Sequence, residues 1–287
     1  MRGGRPVTTK GRTMATKTKR DFLAEITTEP KDLKQRMVFY GPPGTGKTSL
    51  AANFRKPVFM TDDNEDGVET LKSSGLIPPE VAVFPAAAKW EDVNEQLAAL
   101  YDGEHGYETL VIDSITGVGR INDADVCDKQ FNGDWSKKGF GDYGAGHTAA
   151  ASQWVEFLCR LDKIRKKRNM TIVLLGHSRI KPFKNPFGAD YDTYDVALGN
   201  KTWEATLRWA DLALFLNYYT ITTKEQGEKA KAKGGRQRIM YTENGAGYVA
   251  KNRHNLPAEI DMGSSGQEAY SNLVGVIKAA RKTNEGN

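Results

Sequence analysis

Short apolar runs alternate along the chain with longer stretches in which apolar residues recur every three or four positions. Apolar runs bounded by polar residues are typical of strands that are buried on both faces of a sheet. After residue 36 these runs are MVFY (37–40), PVFM (57–60), VAVF (81–84), TLVID (109–113) and TIVLLG (171–176).

Stretches with helical periodicity lie between these runs. They are KTSLAANF (47–54), WEDVNEQLAALYD (90–102) and residues 149–169. The last one carries Trp154, Phe157, Leu158, Leu161 and Ile164 on one helical face. Strands that alternate with helices predict a parallel sheet that is covered on both sides.

After residue 210 the pattern changes to successive strands with turns between them. The predicted strands are LALFLNYYTIT (212–222), RIMYTE (238–243) and GYVAK (247–251), and the segment 224–238 is predicted to be a charged loop. Residues 267–282 predict a final amphipathic helix. The predicted fold class is therefore α/β, with a mainly parallel central sheet flanked by helices and an antiparallel C-terminal extension.

Three regions follow from this pattern. Residues 1–30 are predicted to be a disordered basic arm, 31–260 the core, and 261–287 a tail with the last helix. Residues 1–20 contain no acidic residue. They are interpreted as a nucleic-acid-binding arm, a solubilising tail, or sequence upstream of a start at Met14, so whether residues 1–13 belong to the native start stays open.

Composition narrows the class of protein only in part. The net charge of +5 over 287 residues permits a polyanionic partner. Two cysteines make a disulfide framework unexpected and favour the cytoplasm. No apolar run is long enough for a membrane span, and the N-terminus lacks the apolar centre of a signal peptide.

The segment GPPGTGKT (41–48) matches the phosphate-binding pattern G-x-x-x-x-G-K-[ST] between a predicted strand and a predicted helix. Its glycines let backbone N–H groups turn towards phosphates, Lys47 reaches the β- and γ-phosphates, and Thr48 ligates Mg²⁺. We therefore predict that ATP and Mg²⁺ bind here. The predicted binding residues are Gly41, Pro42, Pro43, Gly44, Thr45, Gly46, Lys47, Thr48 and Ser49.

A carboxylate at the end of another apolar strand completes the metal site. Asp113 ends the run TLVID, and an aspartate in this position can hold Mg²⁺. Asp113 is therefore the second predicted metal ligand, with Thr48.

The segment 41–48, which forms the phosphate cradle, resembles that of AAA+ ATPases. Those proteins usually place Glu directly after the metal-binding Asp, where this chain has Ser114. RecA-type ATPases carry the water-activating carboxylate after the strand next to the cradle. In this chain that segment is VFMTDDNEDG (58–67). A carboxylate there can polarise water beside the γ-phosphate, and both Asp63 and Glu65 are candidates.

Over residues 35–260 the chain resembles the RecA core. More narrowly, it resembles phage single-strand annealing and recombination ATPases that have a shortened RecA core. These are phage nucleotide-binding proteins of the AAA family. The segment IVLLGHSRIK resembles the RecA strand that ends in a γ-phosphate sensor. The sensor is Gln in RecA, and His177 holds its place here. Histidine, unlike glutamine, changes charge near neutral pH.

The resemblance implies two DNA-binding loops. Residues 117–146 correspond to the first, with Lys137, Lys138 and Phe140 as candidate contacts. The segment after His177 corresponds to the second, followed by a helix that opens near Asn200. Its candidates are Arg179, Lys181, Phe183 and Lys184. Cations that follow the backbone and rings that stack bases suit single-stranded nucleic acid.

RecA-type ATPases and hexameric helicases carry a K-x-[KR] pair on a late strand that reaches the nucleotide of a neighbouring subunit. Lys251-Asn252-Arg253 matches this pair. Such cations stabilise the charge that spreads over the γ-phosphate oxygens during transfer. The resemblance therefore implies a homo-oligomer, either a ring or a filament.

The predicted function is a DNA-stimulated ATPase that acts on single-stranded DNA in phage recombination or replication. A single-strand-binding protein is a candidate partner, and the host cytoplasm is the expected location. Two alternatives stay open: an AAA+-like loader or motor that acts on protein, and an ATP-dependent annealing module with little hydrolysis. The sequence leaves annealing against strand exchange, and DNA against RNA, undecided.

Overall fold

A computed structural model of the chain describes residues 23–24, 26–28, 33–223 and 231–285. Leu33–Asn287 belong to one compact unit. In the unit that precedes it, the amide of Ile26 donates to the carbonyl oxygen of Leu23 at 3.3 Å. The basic segment 1–20 lies outside the described residues.

The described part of the chain forms one ten-stranded sheet with helices on both sides. The strands are β1 Arg36–Gly41, β2 Pro57–Thr61, β3 Ala82–Val83, β4 Thr109–Asp113, β5 Thr171–Phe183, β6 Tyr191–Val196, β7 Leu212–Thr223, β8 Lys231–Tyr241, β9 Lys251–Asn252 and β10 Glu259–Asp261. The helices are α1 Lys47–Ala51, α2 Gly67–Ser73, α3 Trp90–Asp102, α4 Ile115–Phe131, α5 Ala145–Arg168, α6 Asn200–Trp209 and α7 Gly266–Glu285.

The sheet runs in the order β10-β8-β7-β1-β5-β4-β2-β3. Strands β3, β2, β4, β5, β1 and β7 are parallel to their neighbours. Strands β8 and β10 add an antiparallel edge, and β9 pairs antiparallel with β7. This arrangement confirms the predicted fold class, including the antiparallel C-terminal extension.

Each side of the sheet has its own apolar core. In β1, Val38 and Tyr40 face the layer that contains α3, α4, α5 and α6, whereas Met37 and Phe39 face the layer of α1 and α7. Burial on both sides explains why this strand is apolar throughout rather than alternating. The predicted apolar face of α5 is confirmed, since Trp154, Phe157, Leu158, Leu161 and Ile164 are all buried.

Two segments that were predicted to be loops have regular structure. Residues 117–131 belong to α4, which Ser114 caps by accepting a hydrogen bond from the amide of Gly117 at 3.2 Å. The segment after His177 continues β5 and pairs antiparallel with β6, so it forms a β-hairpin. The sequence pattern predicted neither element, because both contain many glycines and polar residues. Packing against α5 stabilises the helix and cross-strand pairing stabilises the hairpin, so local propensity is a poor guide to either.

Smaller differences concern the C-terminal strands. Of the predicted strand 247–251, only Lys251 belongs to a strand, β9, which continues to Asn252. Strand β8 begins at Lys231, inside the segment that was predicted to be a charged loop. Helix α6 opens at Asn200, as predicted. Among the described helices, none is long and apolar enough to cross a membrane.

Candidate functional site

The loop between β1 and α1 forms a cradle at the carboxyl end of the central strand. Gly44 and Gly46 have left-handed backbones, with φ of +77° and +92°, which glycine adopts without steric cost. Gly41 is required for another reason, because a Cβ there would stand 2.0 Å from the carbonyl oxygen of Leu216. The motif residues therefore follow a tight path that side chains would block.

Lys47 is buried beneath this cradle. Its side chain is 8% exposed, and its Nζ donates to the carbonyl oxygens of Gly41 at 3.0 Å and Pro42 at 2.9 Å. Burial lowers the pKa of Lys47, while the nearby carboxylates of Asp113 and Glu65 raise it. A buried ammonium that is held only by carbonyl oxygens fits an anionic phosphate group.

Thr48 and Asp113 meet at the start of α1 and the end of β4. The Thr48 hydroxyl donates to Oδ2 of Asp113 at 2.7 Å. Burial raises the pKa of Asp113 to about 6, against the opposing effects of the Thr48 hydrogen bond and the charge of Lys47. A hydroxyl beside a carboxylate is the type of oxygen pair that Mg²⁺ prefers, so these two residues fit the metal.

Glu65 is the carboxylate that the structure brings to this group. Its Oε1 accepts a hydrogen bond from Ser114 Oγ at 3.2 Å and lies 2.5 Å from Nε2 of His177. The hydrogen bond with His177 lowers the pKa of Glu65 more than burial raises it. Asp63 is exposed instead, and its Oδ1 accepts a hydrogen bond from the side chain of Asn64.

The parallel register places His177 beside the cradle, at the edge of the sheet where Glu65 lies. His177 lies opposite Gly41 on the neighbouring strand β5, and its amide donates to the Thr116 hydroxyl at 3.1 Å. The carboxyl ends of β1, β4 and β5 thus bring together the cradle, Asp113 and His177 from distant parts of the sequence.

The first turns of α4 fix the loop that carries Glu65. A Cβ at Gly117 would stand 1.6 Å from Oδ2 of Asp62, so glycine is needed for this close approach. Arg120 forms an ion pair with Oδ1 of Asp62, which is 1% exposed. The sequence analysis missed the roles of Asp62, Gly117 and Arg120, because no local pattern indicates that α4 contacts this loop.

Two further residues that sequence analysis missed touch the cradle from the antiparallel extension. The Tyr218 hydroxyl donates to the carbonyl oxygen of Gly44 at 3.0 Å. Nη1 of Arg238 lies 2.6 Å from the position that a Cβ on Gly46 would occupy. Alternating polar residues in β8 are a weak signal for this face, and only the pairing of β7 with β8 shows where it points.

Lys251 and Arg253 lie at the other end of the sheet. Lys251 Nζ donates to the carbonyl oxygens of Leu207 at 2.6 Å and Arg208 at 2.9 Å, at the end of α6. Arg253 Nη1 lies 3.3 Å from Oδ1 of Asp211. Within one chain these cations stabilise the C-terminus of α6. Their contact with a neighbouring copy stays a prediction.

The candidate DNA-binding residues fall into two groups. In the β-hairpin, Arg179 and Lys181 share Asp195, each at 3.5 Å, and the Phe183 ring packs against Tyr191 with centroids 5.0 Å apart. Lys184 is exposed near the tip. These side chains leave one cationic and aromatic face of the hairpin open to solvent.

The second group lies in the turn between α4 and α5. Lys137 and Lys138 are exposed there. Phe140 is 2% exposed and packs against the rings of Phe131 and Trp135. The prediction that Phe140 stacks on bases is therefore wrong for this structure, because its ring forms the small core that closes the turn.

Fold and cradle together define a P-loop nucleotide-binding protein of the α/β class. The chain belongs to the AAA domain family, whose model matches residues 33–254. Among curated proteins, no sequence matches this chain. Solved structures do match, and one of them is the crystal structure of the RadB recombinase, with 12% identity and a TM-score of 0.45; the match covers 82% of this chain and 90% of that chain.

Proposed function

We propose that the protein is a RecA-like ATPase that hydrolyses ATP with Mg²⁺ and acts on single-stranded DNA as a homo-oligomer. One observation carries the proposal: buried Lys47, the Thr48–Asp113 pair and the Glu65–His177 pair meet at the carboxyl ends of neighbouring strands. These are the components that phosphoryl transfer to water requires.

Each side chain has a distinct part in this chemistry. Lys47 and the cradle amides bind the phosphates, while Thr48 and Asp113 hold Mg²⁺, which when bound neutralises charge on the phosphate oxygens. Glu65 orients the attacking water and takes up its proton. Its lowered pKa keeps it ionised at neutral pH, as this role requires.

Ser114 and His177 hold the carboxylate of Glu65 in place. Both hydrogen bonds reach the same oxygen, Oε1, which leaves Oε2 for water. His177 also lies at the end of β5, from which the hairpin continues. In this proposal the imidazole senses the γ-phosphate and links it to the hairpin.

The hairpin supplies the proposed surface for single-stranded DNA. Arg179, Lys181 and Phe183 alternate along β5 and therefore share one face, next to Tyr191 on β6. Lys184 on the hairpin, and Lys137 and Lys138 in the turn between α4 and α5, add positive charge. Stacking on Phe183 and contacts of the cations with phosphates would bind a single strand without base specificity.

Lys251 and Arg253 are the cations that we propose for the contact with a neighbouring copy in a ring or filament. This contact requires both side chains to exchange their partners at the end of α6 for phosphate oxygens. A phage recombination or replication context, the host cytoplasm and a single-strand-binding partner complete the proposal.

Phosphate release from ATP, measured with and without a single-stranded oligonucleotide, tests the function. We expect turnover that the oligonucleotide stimulates and that Lys47→Ala abolishes. Turnover that only a protein substrate stimulates would favour a loader or motor. Strand annealing that needs ATP but releases almost no phosphate would favour an annealing module.

Oligonucleotide binding across a salt series tests the hairpin. We expect Phe183→Ala to weaken binding by about 1–3 kcal/mol at every salt concentration, as for the loss of one stacked base. Lys181→Ala should instead reduce the slope of log K against log salt by about one phosphate contact. Lys278→Ala, a change at an exposed position of α7, is the control. Unchanged binding in both hairpin variants would remove this surface from the proposal.

A further inference from the structure

The antiparallel extension brings a cross-strand pair of side chains onto the cradle. Tyr218 on β7 lies directly opposite Arg238 on β8. Side chains directly opposite each other in an antiparallel pair lie on the same face of the sheet. Both reach the cradle, Tyr218 at the carbonyl of Gly44 and Arg238 at Gly46.

The guanidinium of Arg238 is held by a backbone carbonyl oxygen rather than by a carboxylate. Nη2 donates to the carbonyl oxygen of Gly263 at 3.0 Å, which fixes one side of the group. Within the part of the chain that the structure describes, no ion pair includes Arg238. Its Nη1 lies beside Gly46 in the cradle backbone.

The groove around Arg238 favours anions. It has a volume of about 690 Å³ and is lined by Tyr218, Arg236, Arg238, Asp261 and Ser264 among others. The one carboxylate in this lining belongs to Asp261. It accepts hydrogen bonds from the Gln237 side chain at 3.0 Å and from the Gly263 amide at 2.7 Å. Because the two arginines outnumber this one carboxylate, the charged side chains that line the groove have a net positive charge.

Arg238 and Lys47 approach the cradle from different sides. Lys47 lies near Asp113, on the side of β4, whereas Arg238 comes from β8, on the other side of β1. A guanidinium presents a planar fork that matches two phosphate oxygens at once, which a lysine cannot do. A polyphosphate in the cradle would thus have one cation beneath it and one beside it, both from the same chain.

We propose that Arg238 is a nucleotide-binding residue that contacts the phosphates of ATP or ADP from within the same chain. The inference rests on the proposed binding of nucleotide at the cradle. It follows that a single copy binds nucleotide tightly, and that cations from a neighbouring copy affect turnover rather than binding. Tyr218 is a positioning residue, which holds the Gly44 carbonyl and keeps the cradle next to Arg238.

Titration calorimetry with ADP and with a non-hydrolysable ATP analogue tests the inference without relying on activity. We expect Arg238→Ala to raise Kd for both ligands roughly tenfold or more, as the loss of a charge-assisted hydrogen bond implies. Arg160→Ala, which removes a surface arginine on α5, should change Kd less than about twofold, as expected for an arginine outside the site. The melting temperature without nucleotide should be the same for both variants.

The outcomes separate this inference from the proposed function. If Arg238→Ala binds both ligands like the wild type while Lys47→Ala does not bind them, Arg238 is not a phosphate ligand and the cradle proposal stands. If the wild type binds neither ligand, both proposals are wrong. Should Arg238→Ala fail to fold, Arg238→Gln, which keeps a polar side chain but no charge, decides by the same criteria.

Discussion

The two ends of the sheet place their basic residues in different surroundings. At the carboxyl end, Lys47 and Arg238 are held by backbone carbonyl oxygens, and neither forms an ion pair among the described residues. At the amino end, Arg36 and Arg253 both reach the carboxylate of Asp211, and Lys251 binds the end of α6. Cations of the first kind are ready for an anionic ligand, whereas those of the second kind already have partners that stabilise the fold.

Arg253→Ala asks whether the amino end takes part in the reaction at all. If a neighbouring copy uses this cation, turnover of the assembled protein should fall about 10³-fold or more, as for other arginines supplied in trans. ADP binding should not change. Stability should fall by no more than about 1 kcal/mol, because the ion pair of Arg253 with Asp211 is half-exposed.

Phosphate release and analytical ultracentrifugation of the same samples check this prediction, with Arg55→Ala, a change in an exposed surface ion pair, as the control. Wild-type turnover by an assembled Arg253→Ala protein would limit the residue to its contacts with Asp211 and α6. The amino end would then be purely structural.

Glu65→Gln examines the carboxyl end in the same way. Turnover should fall roughly 10²- to 10⁴-fold, because the amide cannot accept the proton of the attacking water. Nucleotide binding should persist, since Gln keeps a hydrogen-bonding side chain near Ser114 and His177. Asp63→Asn, two residues earlier and exposed, should keep turnover within about twofold of the wild type. Loss of turnover in Asp63→Asn instead would assign the base to the other carboxylate.

Asp211→Asn tests the stabilising role of the amino end. Asp211 accepts hydrogen bonds from Arg36, with the shortest at 2.6 Å, and removing its charge should lower the free energy of unfolding by about 1–3 kcal/mol. Asp102→Asn, in an exposed pair with Lys167, should cost less than about 1 kcal/mol. ADP binding should be unchanged in both. Denaturant melts and calorimetry measure these effects.

The loss in Asp211→Asn should depend on pH in one direction. Burial raises the pKa of Asp211, but the hydrogen bonds and charge of Arg36 outweigh it, so the pKa is lower in the folded protein than the usual value. The stabilisation is therefore complete above about pH 4 and is lost as the pH falls through the lower folded pKa. An energy difference between the two proteins that grows on acidification would contradict this assignment.

The sequence predicted the features that depend on local contacts, but not those that depend on contacts between distant residues. The strands and the cradle could be predicted because burial on both faces and the tight glycine turn leave marks within a few residues. The position of Glu65 beside the cradle could not, since it depends on a contact with His177 over 112 positions. The meeting of Tyr218 and Arg238 depends on strand register, which a polar segment between two strands does not encode.

Tyr218→Phe is the smallest change that tests the contact between the antiparallel extension and the cradle at the carboxyl end of the sheet. It removes only the hydroxyl that donates to the Gly44 carbonyl, and the ring stays. Because Tyr218 is 38% exposed, water can replace part of this hydrogen bond, and the loss should be about 0.5–1.5 kcal/mol, which is roughly a two- to twelvefold rise in Kd for ADP. Tyr219→Phe, the next residue at 39% exposure, is the matched control and should bind ADP like the wild type. Wild-type ADP binding by Tyr218→Phe would mean that the extension does not position the cradle, and Arg238 would then have to act alone.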